Sequence, residues 1–600
     1  MTSDKVNLQG DNVMIDTRFV SGTMRRCVML AALGACLSAG PSLAAPNVEA
    51  GAGQDAASTA VAPGTAARVV TDAANVSTGE VSVERQLDGG EGLAQAPLGA
   101  ELLDSSDRIT RFYALRGQRP VWTDAARVDA LVAALEALDG DGLNPRDYRP
   151  EAIAASARVA LGEGASAEAR DRFERDTTGT LFTALTHLQR GKVDPQRIDS
   201  DWEVPIDPAS FDLVAMSQAL DDGDVNAAMD LARPPFEPYQ QLRAGLARYR
   251  NIERLGGWPQ LPAREEALRP GDVDADVALL RQRLAMIGEL EVMAADVDHY
   301  PSIDLKAPHA EAYDVALAAA VKRFQRSHLL TDDGVIGPNT RSALNMTVAQ
   351  RIDQIRANME RARWLLHGLP ESFVLVDIAG YRVSYFRPDG DVWRSRIVVG
   401  QPYRRTPTLR SEITHLTLNP TWTVPPTIYR EDILPKVRNN PGYLASRGLY
   451  PLSSSGQRLD PASVNWSNPR GVMLRQGAGP RNPLGRVVIR FPNDHLVYLH
   501  DTPSRGLFNR AQRALSSGCI RVEGVAELAQ LLFDDSGTNA SVNRLIAAGD
   551  TRNVSLKQRI PVVLNYWTVQ PESGGELAFR PDIYNRDSDL VAALNAPAVL

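Results

Sequence analysis

Cysteine is nearly absent from this chain: there are three in 600 residues, and two of them, Cys27 and Cys36, fall in an N-terminal apolar stretch. That scarcity excludes a disulfide framework, so stability has to come from packed cores. Histidine is sparse as well, with eight in the chain, which argues against structural zinc with four Cys or His ligands and against catalytic zinc with three protein ligands. Positive charge is not in excess; the formal net charge is −8, so nothing electrostatic calls for nucleic acid as a partner. After the N-terminal region no stretch approaches the ~20 apolar residues that a membrane-spanning helix requires. What remains is the composition of an ordinary soluble protein, long enough for several domains.

The N-terminal stretch has its own grammar. Met24-Arg25-Arg26 leads into Cys27-Val28-Met29-Leu30-Ala31-Ala32-Leu33-Gly34-Ala35, followed by Ser42-Leu43-Ala44. A basic segment, a short apolar segment and a small-x-small site predict an export signal over residues 1–44, with Met24 as a plausible true start. The apolar run is too short for a membrane anchor. Leu33-Gly34-Ala35-Cys36 loosely resembles a bacterial lipoprotein box, which leaves lipid attachment at Cys36 as an alternative. Residues 45–98 are dominated by Ala, Gly, Ser, Val and Asp without a sustained period, and they predict a flexible tether.

From Leu102 to Pro262 the periodicity is helical. Val128, Leu131, Val132, Leu135 and Leu138 recur at three- and four-residue steps and end at Gly140 and Gly142; Leu181, Leu185 and Leu188, then Leu242, Leu246 and Tyr249, repeat the theme. Trp122, Trp202, Tyr113 and His187 sit at helical or turn spacing and are read as core rather than ligand contacts. Residues 268–346 carry two amphipathic helices, Val277–Leu284 and Leu317–Gln325, and a turn Asp333-Gly334-Val335-Ile336-Gly337-Pro338-Asn339-Thr340 into a third. This order resembles the small peptidoglycan-binding module, with 291–312 as an insertion; the plainer alternative is a three-helix spacer without a ligand. After a helix ending near Leu366 the pattern alternates. Phe373–Ile378, Tyr381–Phe386, Ile397–Val399, Thr414–Leu418, Arg486–Arg490, Leu496–Leu499 and Pro561–Trp567 predict strands. Residues 421–485 break that rhythm with Pro425-Pro426 and a helical Tyr429–Leu434, and an insertion of this length in a β domain predicts a lid.

Once a signal is removed, Cys519 is the one thiol left. Such a residue is either a small buried hydrophobe or a reactive nucleophile. A thiol with an ordinary pKa of about 8.5 is mostly protonated at neutral pH and needs a base or a positive charge beside it. His500, in His500-Asp501-Thr502-Pro503 at the end of a predicted strand, could supply the base. A backbone carbonyl or the Asp501 carboxylate could hold its other ring nitrogen. Gly518 lets the chain bend before Cys519, so that the Gly518 and Cys519 N–H groups could face an oxyanion. Arg521 suits either a bidentate grip on a substrate carboxylate or a structural salt bridge. His495, His415 and His367 read as ordinary histidines, with His415 the one expected nearest the site.

The pairing of His-x-Thr-Pro with Ser-x-Gly-Cys-Ile-Arg-Val, over His500–Pro503 and Ser516–Val522, resembles the signature of the L,D-transpeptidase catalytic domain. Phe112–Gly117 with Pro120–Trp122, Gly142–Tyr148 and Asn419–Pro426 further resemble the large periplasmic Gram-negative members, which join a helical scaffold, a peptidoglycan-binding module and a capped catalytic domain. Asp501 stands where many members have Gly or Ser, and Ser517 where many have a second His, so the base role falls on His500 alone. The resemblance implies a multidomain α+β fold: signal region 1–44, linker 45–98, mostly helical scaffold 99–265, three-helix peptidoglycan-binding-like module 268–346, a β-rich, sandwich-like catalytic domain 365–570 with capping insertion 421–485, and tail 571–600. It implies Cys519 as nucleophile, His500 as general base and acid, and an oxyanion site from the Gly518 and Cys519 backbone. Arg521, Ser516, Ser517, Asp501, Tyr498 and Trp422 become the substrate-binding candidates. The implied partners are peptidoglycan stem peptides, a donor tetrapeptide and a diaminopimelate acceptor, with room for other cell-wall synthases, in the periplasm and without metal or cofactor. Carbapenem-type β-lactams are expected to acylate the same cysteine. A cysteine carboxypeptidase or amidase trimming wall peptides, and a non-catalytic wall-binding protein, are the competing readings.

Overall fold

The computed structural model describes residues 105–204, 209–290, 309–365, 369–440, 442–572 and 575–598. The predicted signal and tether, most of the 291–312 insertion and His367 lie outside the described residues. No helix among the described residues is long and apolar enough to cross a membrane.

The chain begins with helices Ser105–Leu115, Ala125–Glu136, Pro150–Ala160, Ala167–Arg190, Leu213–Asp221, Val225–Asp230 and Glu237–Arg254. Asp124 starts the second of them by accepting the Arg127 N–H, and Val128, Leu131 and Leu135 form its buried stripe. The four aromatic residues read as core serve packing. The Trp122 indole donates to Thr178 at 2.9 Å, the Trp202 indole donates to the Val204 carbonyl, and the Tyr113 phenol donates to Glu174 at 2.6 Å. His187 lies 2.9 Å from the Tyr148 phenol and is pushed down to about 4, chiefly by burial and then by Lys192, so it is neutral. A two-residue strand, β1 (Trp202–Glu203), leaves this helical region to join the sheet described below.

Three helices, Ala275–Met286, Val315–Ser327 and Pro338–Leu344, enclose Val277, Leu280, Leu284, Leu317, Val321, Phe324, Ile336 and Leu344. The Asp333–Thr340 turn is held from inside by Gln325, whose amide accepts from the Gly334 N–H at 2.8 Å and donates to the Val335 carbonyl at 3.0 Å. The next helix, Val348–Leu365, is buried along nearly its whole length, polar residues included. Several of those polar groups are matched across element boundaries: Asn358 exchanges bonds with Thr568, Glu360 accepts from the Val193 N–H, and Arg361 pairs with Asp587 at 2.6 Å. One helix thereby holds the N-terminal helices, the sheet and the C-terminal segment together.

The strands that follow are β2 (Phe373–Asp377), β3 (Arg382–Phe386), β4 (Val392–Gly400), β5 (Thr408–Leu418), the cap strands β6 (Trp422–Thr423), β7 (Leu449–Leu452) and β8 (Met473–Gln476), then β9 (Val487–Arg490), β10 (Leu499–His500), β11 (Ala514–Ser516), β12 (Ile520–Val522) and β13 (Arg552–Asn565). The main sheet runs β1-β5-β13-β2-β3-β4-β12-β10-β9, and β9 also pairs with β5. That last pairing closes the circuit, where sequence alone suggests a sandwich. Strand β2 is buried on both faces because Val374 and Val376 point to the inner core while Phe373 and Leu375 pack against the long helix layer. One predicted strand is shorter than expected. Leu496–Leu499 contributes only Leu499 to a ladder, because the Asn493 side chain bonds the Phe491 and Val497 carbonyls and the Val497 N–H, closing a turn before the strand begins.

The 421–485 insertion leaves and rejoins the sheet at neighbouring points, since Leu418 pairs with Val487. It has a three-stranded sheet of its own, β6-β8-β7, and a separate small core of Val424, Ile433, Val437, Leu444, Leu449 and Leu474. Residues 571–598 fold back on the body through a short hairpin and the helix Asp587–Asn595, which buries Leu590 and Leu594. Because the two roots of the cap are adjacent, closing them with a short turn costs little chain entropy. Replacing 421–484 by a Gly-rich turn is expected to preserve far-UV circular dichroism and a cooperative melt; loss of cooperative unfolding would show that the cap belongs to the core.

Candidate active site

Two short strands set the geometry. β10 runs parallel to β12 with Leu499 opposite Ile520 and His500 opposite Arg521, so the residues just before each strand, Tyr498 and Cys519, are also neighbours. The Tyr498 backbone N–H and its phenol both direct hydrogen bonds at the Cys519 sulfur. His500 is buried and its Nδ1 lies 2.5 Å from the Asp501 carbonyl oxygen. A carbonyl only accepts, so Nδ1 carries the proton and Nε2 is left as the basic nitrogen. Burial, reinforced by Arg521, pushes His500 down to about 3, so the imidazole is neutral. Burial pushes the Cys519 thiol up, while Tyr498, Arg490 and Arg521 pull it the other way. The resting pair is thus a thiol beside a neutral imidazole, with donors placed to stabilise a thiolate once it forms.

The nucleophile loop is braced from within. Ser516 donates to the Cys519 carbonyl at 2.6 Å and accepts the Gly518 N–H at 3.2 Å. The buried Ser516 hydroxyl is thus engaged within the loop, although Ser516 also lines the cavity described below, and the Gly518 N–H is engaged with it. Gly518 has φ +108°, and a Cβ there would sit 3.3 Å from the Arg405 carbonyl oxygen, so the turn needs glycine. From below, Thr406 donates to the Gly518 carbonyl at 2.8 Å, and Tyr584 reaches the Gly400 carbonyl at 2.7 Å and the Thr406 N–H at 3.1 Å.

The Asp501 side chain is likewise engaged by the protein itself. Its carboxylate is buried and accepts the Arg486 N–H at 2.9 Å and Arg505 at 2.5 Å. Arg486 is where the cap rejoins the sheet. The preceding Gly485 has φ +62°, and a Cβ on it would lie within 2.4 Å of the Asp501 side chain. The carboxylate therefore occupies the space at the cap's root that Gly485 leaves open. Arg521 makes no carboxylate pair among the described residues, against the salt-bridge alternative, and its buried Nε has no partner.

Above Cys519 lies a cavity of about 980 Å³. Cys519, His500, Tyr498 and Arg521 form its floor, and Trp422, Val424, Pro425 and Ile428 of the cap form its roof. His415 lines it, as expected of the three other histidines, and so does His495, which the sequence reading treated as ordinary. Arg404 ties roof to floor: it pairs with Asp432 at 2.6 Å and Glu431 at 2.8 Å on the cap, and donates to Ser517 at 3.0 Å on the nucleophile loop. Arg404 lifts no charge from the pair, since its guanidinium holds the Asp432 carboxyl below the usual carboxylate range. Among the described residues no group of three or more His, Cys, Asp or Glu gathers as a metal ion would need.

Residues 371–539 match the family model of the L,D-transpeptidase catalytic domain. The chain carries an L,D-transpeptidase domain. Residues 274–344 match the model described as "Putative peptidoglycan binding domain", and 107–246 match a scaffold domain. A Haemophilus influenzae protein named "Putative L,D-transpeptidase" is 38% identical over 222 residues, which is 36% of this chain and 45% of that protein, so the chain aligns with less than half of that relative's length. Among solved structures, an L,D-transpeptidase from Mycobacterium smegmatis is 15% identical, covering 32% of this chain and 58% of that one at a TM-score of 0.16. Another from Xylanimonas cellulosilytica is 16% identical, covering 51% of this chain and 100% of that one, also at 0.16. Scores that low add nothing to the fold already described.

Arg404, Thr406 and Arg490 of this domain, and Tyr584 beyond it, are not marked by any motif in the sequence. The tract Arg404-Arg405-Thr406-Pro407 was the available signal, a polar turn between two strands that carries more chemistry than a turn needs. Arg404→Ala is expected to lower Cys519 acylation by a stem-peptide donor about 10- to 100-fold through a misplaced roof and loop. The exchange Arg404→Asp with Asp432→Arg should recover part of that loss. Acylation kinetics by intact mass check it, and an unaffected single variant would remove the link.

Proposed function

We propose that this protein is a cysteine-dependent L,D-transpeptidase that joins peptidoglycan stems between third-position residues. Cys519 attacks the carbonyl of the third residue, diaminopimelate, of a donor tetrapeptide. His500 Nε2 takes the thiol proton, and the sulfur–carbon bond forms as the terminal D-alanine leaves with that proton on its amine. The side-chain amine of a diaminopimelate on a second stem then attacks the thioester. Its nitrogen–carbon bond replaces the sulfur bond, and His500 passes the amine's proton back to the thiolate. Arg521, which lines the cavity and makes no carboxylate pair among the described residues, holds a donor carboxylate. The Cys519 N–H faces the oxyanion, a contact typically worth about 3 kcal/mol. Export through the N-terminal signal into the periplasm places the enzyme at its substrate, and the 268–346 module holds it to the wall.

The observation that carries this reading is that Cys519, with Tyr498 and Arg521 acting on its thiol, shares the floor of one roofed cavity with a neutral His500. Treating purified sacculi with the protein and resolving the products separates the alternatives. New third-to-third cross-links are expected, whereas shortened stems without cross-links would assign wall trimming instead.

Cys519→Ala is expected to abolish the covalent adduct with a carbapenem in intact mass, and His500→Ala to slow its formation by at least about 100-fold with the fold intact. An adduct on the alanine variant would overturn the nucleophile assignment. The depressed His500 value also gives a sign for pH. Its folded pKa lies below the ordinary value of about 6.5, so the basic form persists as pH falls through that value. Acylation measured from pH 4.5 to 8 should therefore show no inflection near 6.5, and a rate collapsing there would mean a solvated imidazole. By the same sign, burying neutral His500 contributes stability that is present above about 6.5 and is lost as pH falls towards 3.

A further inference from the structure

Four residues stand in one row across the floor of the roofed cavity. His415 of β5 lies opposite Arg490 of β9. Because Ile489 lies opposite Leu499, Arg490 comes beside Tyr498, and its guanidinium sits over the Tyr498 ring, 5.0 Å from the centroid. Tyr498 in turn directs its phenol at the Cys519 sulfur. All four residues line the cavity. At the ordinary spacing of strands, Arg490 is rooted two strands, about 10 Å, from the nucleophile. It lies outside both the His500–Pro503 and the Ser516–Val522 tracts.

Among the described residues no acidic side chain lines this cavity, whereas Arg404, Arg490 and Arg521 do, with His415, His495 and His500. Arg404 is spent on Asp432 and Glu431 of the cap, and Arg521 serves one donor carboxylate in the reading above. Arg490 is the guanidinium left over. It is half-buried, and its Nε donates to Thr417 at 3.1 Å, while Thr417 donates onward to Asn553 at 2.8 Å. Thr417 is on β5, the side of β9 away from Cys519, so this bond fixes the plane of the fork and holds it back from the thiol. No carboxylate among the described residues pairs with it. A half-buried guanidinium that is oriented but lacks an anion is what a carboxylate ligand completes.

We propose that Arg490 reads a second carboxylate of the donor stem, remote from the bond that Cys519 breaks, and so selects donors in which that group is a free acid rather than an amide. The inference rests on the acyl-transfer reading above and deepens it by naming which donor the cavity takes. The carboxylate of the leaving D-alanine is one residue, ~4 Å, from the attacked carbonyl, too close to the thiol for a fork tied back to β5. The carboxylate at the side-chain end of diaminopimelate lies about 7 Å from that carbonyl along an extended chain, and a free carboxylate on the second residue of the stem lies at least as far. An amide at the recognised position would leave the guanidinium without its charge partner.

The two carboxylates form separate arms of the test. The full chain, Arg490→Gln and Arg490→Lys are each given three tetrapeptide donors: the free acid, one amidated at the side-chain end of diaminopimelate, and one amidated at the second residue. Formation of the Cys519 acyl-enzyme is followed by intact mass against donor concentration. On the free acid, Arg490→Gln is expected to lower kcat/KM about 10-fold or more, mainly through KM, with Arg490→Lys recovering part of the loss. On the donor amidated at the recognised carboxylate, the wild-type chain loses a similar factor and Arg490→Gln adds little to it. The donor that shows this non-additivity names the source. An equal loss on all three donors would mean that Arg490 acts through the thiol or the fold, and would overturn the inference, as would a free-acid rate that Arg490→Gln leaves unchanged. If the wild-type chain forms no acyl-enzyme with any donor, the acyl-transfer reading falls and takes this inference with it.

Discussion

Most of what the site can do passes through Asp501. Its backbone carbonyl takes the Nδ1 proton of His500 and so decides which imidazole nitrogen is basic. Its carboxylate, one side chain away, takes the Arg486 N–H at the point where the cap rejoins the sheet. A single residue therefore fixes the tautomer of the base and the root of the roof above it. A buried carboxylate left without partners would be costly, and here the costs are met by a backbone donor, by Arg505 and by the absence of a side chain at Gly485.

The same economy runs through the loop that carries Cys519. Ser516, Thr406 and Tyr584 form a chain of hydrogen bonds that holds the loop from inside and below, and Arg404 holds it from above. Each of these groups is polar, and each is satisfied by another part of the protein rather than by a ligand. The groups left open are few: the Cys519 N–H, Arg521 Nε and the basic nitrogen of His500. An active site of this kind is defined as much by which polar groups are already spent as by which are available.

Much of the architecture was legible in the chain. The three- and four-residue apolar spacing of Val128–Leu138 and the alternation of Phe373–Ile378 reappear as a helix and a strand with the expected buried faces, because short-range periodicity follows from backbone geometry. Cys519 and His500 stand out in the sequence for a similar reason, since both lie in compact, recognisable tracts, and the structure brings them to one cavity. The misreadings share a different cause. Leu496–Leu499 alternates like a strand, yet the Asn493 side chain offers its backbone other partners. Ser516 and Asp501 flank Cys519 and His500, and nothing local shows which protein groups their oxygens also bond. His495 was taken as ordinary because its partner, Glu203, lies nearly three hundred residues away.

The amino-acid sequence by itself determined the order of helical, module and β regions, the presence of an insertion, and the identity of the thiol and its histidine. These are properties of composition, period and short motifs, which neighbouring residues carry among themselves. Only the tertiary structure decided which carbonyl fixes His500, which arginine joins cap to loop, that the sheet closes through β5 and β9, and that a strand from the scaffold joins that sheet. Each of those depends on hydrogen bonds and ion pairs between residues far apart in the chain, and such partners are chosen by packing, which no local pattern records.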